Sequence, residues 1–416
     1  LFGILADFGL YAVAVREVSK STDKKKTLGA LLTLRICILL LSLGTAIFYV
    51  WFNPTWHNSP LPLAVSIAAF VPFFTLLAGI LRTVFQVEYK MHFVFIAEVL
   101  QRVLTVTLTG LILYFGVRGS TDPNVLYLML GIGGLGAALL FALSAFFSQK
   151  IMVVRPASDW PEIKRILTLC APYGLAFLCT ALYRQFDVTL IAELRTDYAY
   201  QNAAYGFVQR MMDMAYLLPT FLLNSTLPML SERDVRGEDT KDLVGKTLLI
   251  IFLIGSIAGL FGFFCSRPLV ALLTTQQYLS SAGVAGSDTA LTILSGSMFL
   301  NGFILFAFYS LLTKHRWKPL VFTLLIGVIF SLLANLTLIP TLGFVGASLT
   351  SLLTHSLLVI LLLPQAIKIL PVRLPWNNIL RAIAFTALLV LGLVVLHPLL
   401  TSDVRTAGAI VVVAVW

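Results

Sequence analysis

Three pairs of opposite charges interrupt the apolar stretches of this 416-residue chain. In each pair an arginine and a carboxylate stand three or four positions apart: Glu98 with Arg102, Arg184 with Asp187, and Arg210 with Asp213. Residues at this spacing share one face of an α-helix, so each pair is placed to form a salt bridge. Because a charge facing lipid is costly, the pairs predict either a polar cavity or structural salt bridges between helices.

Signatures of enzymes and metal sites are scarce. Gly245, Lys246 and Thr247 resemble the end of a phosphate-binding loop, but Thr240 stands where the leading glycine is required. The four cysteines lie in or beside apolar segments without CxxC spacing, and the five histidines are scattered singly, mostly near span ends. We therefore predict no catalytic residue, no metal site and no cofactor, and we expect the histidines to be interfacial.

Composition places the charged pairs in a membrane. Apolar residues make up 59% of the chain and charged residues 12%, against about 45–50% and 25% in soluble domains. The apolar residues form runs long enough to cross a hydrocarbon layer of about 30 Å as helices. The predicted spans are the end of one span at Leu1–Val15, then Leu28–Phe52, Leu61–Phe85, Met91–Phe115, Val125–Phe147, Leu167–Ala192, Tyr198–Leu230, Leu248–Leu273, Thr289–Leu312, Leu320–Ile339, Phe344–Ile367, Ile379–Val395, and one from Ala407 onward.

The net charge of +10 reports topology, not nucleic-acid binding. Most basic residues lie in or beside every second loop, and cytoplasmic loops carry such an excess of lysine and arginine. The loops predicted to be cytoplasmic are those at Lys24, Arg155, Arg236, Arg316 and Arg373. The loops predicted to face outward are those at Trp56, Asp122, Arg195, Ser281 and Ser402.

The segment Gln149–Ile163, which is polar and holds two prolines, is predicted as the boundary between two lobes. The pattern of spans restarts after it, and the segments His92–Gly116 and Pro319–Gly343 follow equivalent basic turns. A repeat of six spans would return the chain to its starting side, which favours parallel repeats. The predicted regions are a first lobe at residues 1–150, a cytoplasmic linker at 151–163, a second lobe at 164–370, and an accessory helix pair at 371–416.

The order of several short motifs along the chain resembles a known family. The motifs are Ala6-Asp7-Phe8-Gly9-Leu10 with Arg16-Glu17, the segment Phe85-Gln86 through Ala97-Glu98, the stretch Pro172 to Asp187, Ala203-Ala204-Tyr205, Leu227-Pro228, and Asn335 to Thr350 with Gly343 and Gly346-Ala347. They are similar to the polysaccharide transporter branch of the multidrug/oligosaccharidyl-lipid/polysaccharide exporter superfamily, the Wzx-type O-antigen flippases. No single motif is decisive, and the match covers essentially the whole chain.

The resemblance implies an all-α polytopic membrane protein of fourteen helices. Two six-helix lobes would form a V around a central cationic cavity, with an accessory helix pair beside them. Against that pattern the first helix and part of the second are expected to be missing here. The membrane would be the inner membrane of a bacterium or archaeon, with both termini of the full-length protein cytoplasmic.

The resemblance also implies a substrate and a mechanism. The substrate would be an oligosaccharide repeat unit on an undecaprenyl pyrophosphate carrier, moved from the inner to the outer leaflet by alternating access. H⁺ or Na⁺ would be the coupling ion, and a polysaccharide polymerase would be a partner. The sequence leaves open which ion is used and which sugars are carried.

These expectations give the embedded charges separate roles. Arginine presents a fixed fork of donors that binds phosphate oxygens in pairs, so Arg102, Arg184 and Arg210 are predicted to bind the pyrophosphate. Glu98, Asp187 and Asp213 are predicted as coupling carboxylates, because movement of a partner arginine would change their protonation. Salt bridges that only lock helices together remain the alternative for each of them.

Two other functions remain open. An ion-coupled multidrug antiporter would share the fold, but its cavity should hold an acid without a basic neighbour. A membrane glycosyltransferase or polysaccharide polymerase would need a substantial outer loop, and the longest predicted one runs only from Thr274 to Asp288.

Overall fold

The computed structural model describes residues 10, 14, 17–18, 21, 23–54, 56, 59–114, 122–281, 283–373 and 375–402. These residues are almost entirely helical. The helices are α1 (Lys24–Phe52), α2 (Leu61–Ala68), α3 (Phe70–Val87), α4 (His92–Tyr114), α5 (Pro123–Gln149), α6 (Trp160–Leu194), α7 (Tyr198–Val235), α8 (Lys241–Phe264), α9 (Ser266–Leu273), α10 (Ser287–Thr313), α11 (Trp317–Leu342), α12 (Phe344–Ile369) and α13 (Trp376–Ser402). The spans predicted at Leu1–Val15 and beyond Ala407 lie outside the described residues, apart from Leu10 and Ala14.

Ten helical segments of the described chain are long and apolar enough to cross a membrane. They are α1, α2 together with α3, α4, α5, α6, α8, α10, α11, α12 and α13. The α7 helix, at 38 residues, is also long enough but is less apolar, because its middle carries charged and amide side chains. The prediction of a polytopic all-α membrane protein is confirmed.

Two spans predicted as continuous are each interrupted by one residue. Ala69 separates α2 from α3, and Cys265 separates α8 from α9. Pro72 is the third residue of α3 and Pro268 the third residue of α9. A proline is tolerated in a first helical turn, where backbone N–H groups have no intrahelical partner, but not in a helix interior. The two prolines therefore explain why a new helix begins just before each of them.

The described contacts divide the chain into two compact units, Leu1–Ala181 and Leu182–Trp416. In the first unit, α3 packs against α5 and α1, and α5 also packs against α2 and α4. The loop that follows α5 is fixed to α1, since the Ala157 N–H donates to the Gly29 carbonyl at 3.2 Å and the Thr33 hydroxyl donates to the Ala157 carbonyl at 3.0 Å. The lobe limits at 150, 163 and 370 stay predictions.

In the second unit, α10 is the central helix and packs against α7, α8 and α12. Its packing surface combines apolar side chains with small and polar ones. Buried polar residues on it are Ser287, Asp288, Ser295, Ser297, Asn301 and Ser310. Gly255 of α8 lies so close to α10 that a Cβ there would be 2.7 Å from the Phe299 carbonyl oxygen. Small residues that allow such close approach are a usual means of packing helices in membranes.

Candidate functional site

A row of polar side chains runs along α7 at intervals of three or four residues. Its members are Gln201, Tyr205, Gln209, Asp213 and Tyr216. This spacing keeps them on one helical face. All but Gln201 reach residues of α6, through contacts described in the following paragraphs. The charges of α6 therefore meet the polar face of a neighbouring helix.

Arg184 and Asp213 form an ion pair between α6 and α7. The Arg184 Nη2 donates to Asp213 Oδ1 at 2.8 Å, and the guanidinium carbon lies 4.7 Å from the centre of the Tyr216 ring. Among the described residues this is the one hydrogen bond that the guanidinium group donates to a side chain. The Arg184 side chain is 25% exposed. It is thus held in place on one side while most of its donors remain available.

His355 of α12 lies beside Tyr216 and Tyr183. Its Nδ1 is 2.7 Å from the Ser351 carbonyl oxygen, which can only accept, so Nδ1 carries the proton. Its Nε2 then accepts from the Tyr216 hydroxyl at 3.4 Å, and the Tyr183 ring meets the imidazole edge-on at 5.7 Å. The expectation that the histidines are interfacial is wrong for His355, which is 1% exposed in the middle of α12.

Asp187 forms a separate buried site one turn along α6. One carboxylate oxygen, Oδ2, accepts from the Tyr205 hydroxyl and from the Gln209 amide at 3.2 Å, and Oδ1 accepts from the Val188 N–H at 2.8 Å. The residue is 3% exposed, and in the part of the chain that is described it forms no ion pair. Its predicted pairing with Arg184 is wrong, since that arginine turns to Asp213.

The remaining predicted pairs are also wrong. Glu98 of α4 pairs with Arg82 of α3, not with Arg102. Asp213 pairs with Arg184, not with Arg210. Arg102 and Arg210 are exposed, and neither has an acidic partner within the described chain. Packing between helices has decided each pairing, because a long arginine side chain reaches a neighbouring helix as easily as its own next turn.

Two further arginines lie inside membrane-spanning helices and are not among the predicted site residues. Arg82 is the partner of Glu98 on α3. Arg35 of α1 is only 1% exposed and ranks among the largest fully buried side chains. Both lie within predicted apolar spans, Arg35 seven residues after Leu28, so counting the charges inside each span would have found them.

A polar clamp joins the α6–α7 turn to the α11–α12 turn. The Arg195 guanidinium donates to the Asp197 carboxylate at 2.8 Å and to the Pro340 carbonyl at 3.0 Å. The Gln201 side chain accepts from the Phe344 N–H at 2.8 Å. Gly343 has a φ of +58°, and a Cβ there would lie 2.4 Å from the Gln201 side-chain oxygen, so the turn requires glycine.

Among the described residues, no three histidine, cysteine, aspartate or glutamate side chains lie close enough together to hold a metal ion. Of the described cysteines, Cys37 is exposed, whereas Cys170, Cys179 and Cys265 are buried. The chemistry of the described site is thus that of arginine, carboxylate, phenol and amide groups inside a helical bundle. Such a set can hold an anion, exchange a proton, and change partners when helices move.

A multi-pass bundle with charged residues between its helices defines a polytopic membrane protein, and two solved structures have a similar fold. The fold is similar to that of the lipid II flippase MurJ in an inward closed conformation, with a TM-score of 0.72 and 13% identity over 97% of this chain and 84% of that one. It is also similar to a mutant of the MATE transporter VcmN from Vibrio cholerae, with a TM-score of 0.58 and 14% identity over 88% of this chain and 85% of that one.

The sequence itself identifies the family. The model of the polysaccharide biosynthesis protein family matches residues 1–234, more than half of the chain, and the chain belongs to that family. The resemblance to the polysaccharide transporter branch of the exporter superfamily is thereby confirmed. Comparison with curated proteins found no match.

Proposed function

We propose that the protein is a flippase for undecaprenyl-pyrophosphate-linked oligosaccharides and moves them from the inner to the outer leaflet by alternating access. The observation that carries this proposal is Arg184, a cation fixed by Asp213 and Tyr216 within a membrane-spanning helix. A pyrophosphate group that leaves water needs fixed cations to replace its hydration, and arginine matches phosphate oxygens in pairs. Membership of a polysaccharide biosynthesis family and a fold similar to a lipid II flippase support this substrate class.

Arg102 and Arg210 are proposed as further pyrophosphate contacts. Both are exposed on long helices of the bundle, and neither is neutralised by an acidic side chain within the described chain. An unpaired cation in a membrane span is costly unless it meets water or an anionic ligand. Each arginine is therefore placed to bind an anion.

Asp187 is the proposed coupling carboxylate. Of the three candidates, Glu98 and Asp213 are paired with arginines, whereas Asp187 is buried with a phenol and an amide as partners. A carboxylate without a cation can take up a proton or Na⁺ during a transport cycle. This feature also favours a second candidate function, an ion-coupled antiporter for organic cations, because Asp187 is a buried acid whose neighbouring Arg184 pairs with Asp213 and not with it.

We propose that the protein is a transporter and not an enzyme. The proposed location is the inner membrane of a bacterium or archaeon, with the full-length termini and the basic loops at Arg155, Arg236 and Arg373 cytoplasmic. A polysaccharide polymerase is the proposed protein partner. Two lobes, with residues 151–163 as their linker and 371–416 as an accessory pair, are the proposed organisation.

Ligand binding by the purified protein tests the function. The probes are undecaprenyl pyrophosphate, undecaprenyl phosphate and tetraphenylphosphonium. A flippase binds the pyrophosphate best, and Arg184→Ala weakens that binding about tenfold or more, since a hydrogen bond to a charged group contributes about 1.5–3 kcal/mol. Arg236→Ala is the matched control, because Arg236 is an exposed arginine at the end of α7 and pairs with Glu232.

The alternatives give different results. Preferred binding of tetraphenylphosphonium, abolished by Asp187→Asn, would identify the antiporter. Incorporation of labelled sugar into a lipid-linked product by the purified protein would identify an enzyme. Labelling of Arg236→Cys from outside intact cells, in a chain lacking the exposed Cys37, would show that this loop faces outward and that the proposed orientation is wrong.

A further inference from the structure

A groove of about 420 Å³ lies between α8 and α13, which also pack against each other in the second unit. It is lined by Leu249, Leu253 and Ile257 of α8 and by Asn378, Arg381, Ala382 and Phe385 of α13. The α8 residues recur every four positions and form one stripe along the helix. Most of the groove wall is therefore hydrocarbon, in the shape of a channel that follows two neighbouring helices.

The polar groups of the groove belong to the beginning of α13. Asn378 and Arg381 stand three residues apart and share a face. Arg381 is exposed and forms no ion pair with any described residue, and Asn378 is half-buried. The helix begins at Trp376, so the positive end of its dipole lies at the same end of the groove. An apolar channel thus leads to a site suited to a negative charge.

The surroundings decide which class of molecule can enter. Large apolar side chains of α13 beside the groove are exposed, including Leu380 at 64%, Ile383 at 53% and Leu388 at 67%. In a membrane-spanning helix such a surface faces acyl chains. The neighbouring segment adds the exposed Lys241 at the same end. The charges of Lys246 and Arg373 nearby are paired with Asp242 and Asp239. Basic pockets between membrane helices on the cytoplasmic side are typical binding sites for anionic lipid head groups.

We propose that this groove binds an anionic phospholipid, with an acyl chain along the α8 stripe and the phosphate at Arg381 and Asn378. The site is separate from the arginines assigned to the transported substrate and does not depend on that assignment. A bound lipid would fill the gap between α8 and α13 and hold α13 against the rest of the second unit.

Lipid preference measured on the purified full chain tests the site. The probes are dioleoyl phosphatidylglycerol and dioleoyl phosphatidylcholine, which have the same acyl chains, and the readout is lipid retained in native mass spectra together with the melting temperature. We expect retention of phosphatidylglycerol over phosphatidylcholine and a higher melting temperature with the anionic lipid. Arg381→Gln should reduce the preference about tenfold. Arg316→Gln removes an exposed arginine away from the groove and should leave the preference unchanged.

A second pair of variants tests the apolar channel. Leu253→Trp fills the groove and keeps Arg381, so it should reduce retention of both lipids. Ile250→Trp adds the same side chain to α8 outside the lining and should retain them. Equal retention of both lipids by the unaltered chain, or equal losses in Arg381→Gln and Arg316→Gln, would overturn the proposal. If Arg381→Gln fails to fold, the tryptophan pair alone decides: equal retention in both variants would refute a lipid in the groove.

Discussion

The Arg184 Nη2 of α6 lies 2.8 Å from the Asp213 Oδ1 of α7, although each residue has an opposite charge closer to it in the sequence. The pair joins two helices at the point where α7 also presents Tyr216 to the guanidinium group. The Asp213 side chain is 46% exposed and that of Arg184 25%. At such exposure an ion pair contributes about 0–1 kcal/mol to stability, so its main effect is to position Arg184.

Arg184→Ala should abolish complementation of a flippase-deficient strain while the protein still inserts at normal abundance. Asp213→Asn should lower the free energy of unfolding by at most about 1 kcal/mol and leave partial transport. Arg184→Lys should restore part of the activity, because lysine keeps the charge but lacks the fork of donors. Recovery of transport in the double variant Arg184→Ala/Asp213→Asn would instead mean that the pair is only structural.

Asp187→Asn should remove the dependence of transport on an imposed proton gradient. The amide still accepts a hydrogen bond from Tyr205 but cannot take up or release a proton. Transport into liposomes, with and without the gradient, is the measurement. Glu98→Gln and Asp213→Asn serve as matched controls and should keep the gradient dependence. A gradient response that survives in the Asp187 variant would exclude this residue as the coupling group.

Asp197 should make the clamp at the α6–α7 turn sensitive to acid. Its hydrogen bond from Arg195 lowers the pKa of the Asp197 carboxyl below the usual 3.8. A lowered pKa in the folded state means that the stabilisation is present above the unfolded value and is lost as pH falls through the folded value. Because the side chain is 44% exposed, the effect should be small.

The melting temperature of the detergent-solubilised protein tests this behaviour of Asp197. At neutral pH, Asp197→Asn should melt below the unaltered chain, and the difference should shrink as the pH falls below the usual aspartate value. A difference that stays constant with pH would show that the carboxylate charge contributes nothing to the clamp.

Gly255→Ala should destabilise the second unit by about 1–3 kcal/mol, as overpacking does in a dense interior. The new Cβ would meet the backbone carbonyl of Phe299 at 2.7 Å, so α8 and α10 would have to separate. Gly44→Ala is the control, since nothing lies within 4 Å of a Cβ there. It should be neutral or slightly stabilising, because alanine favours the helix. Equal melting temperatures for both variants would contradict the tight contact.

The sequence predicts the helices well, because each span is a long apolar run bounded by charged or proline-containing loops. The run Met91–Phe115, for example, corresponds to α4 at His92–Tyr114. The interruptions at Ala69 and Cys265 were not predicted. Their signal was present in Pro72 and Pro268, since a proline inside a predicted span requires either a kink or a new first turn.

The partners of the charged residues could not be predicted from spacing. Spacing tells which side chains share a face, but the contact between Glu98 and Arg82 depends on how α3 meets α4. The four-residue repeat from Gln201 to Asp213 was a usable signal, because it indicates one polar face on α7. Burial of His355 was signalled by the hydroxyl residues before it on α12, which suit a helix interface better than a lipid surface.

The position of α10 has a consequence for biosynthesis. On one side the Ser287 hydroxyl donates to the Ala204 carbonyl of α7, which is synthesised earlier. On another side Gly296 packs against Leu352 of α12, which is synthesised later. A Cβ added at Gly296 would lie only 2.6 Å from the Leu352 Cδ1. A nascent chain that has just inserted α10 therefore leaves part of a polar, small-residue surface without its final cover. The second unit should become protease-resistant only after the ribosome has passed α12, and chains halted at α11 should be degraded.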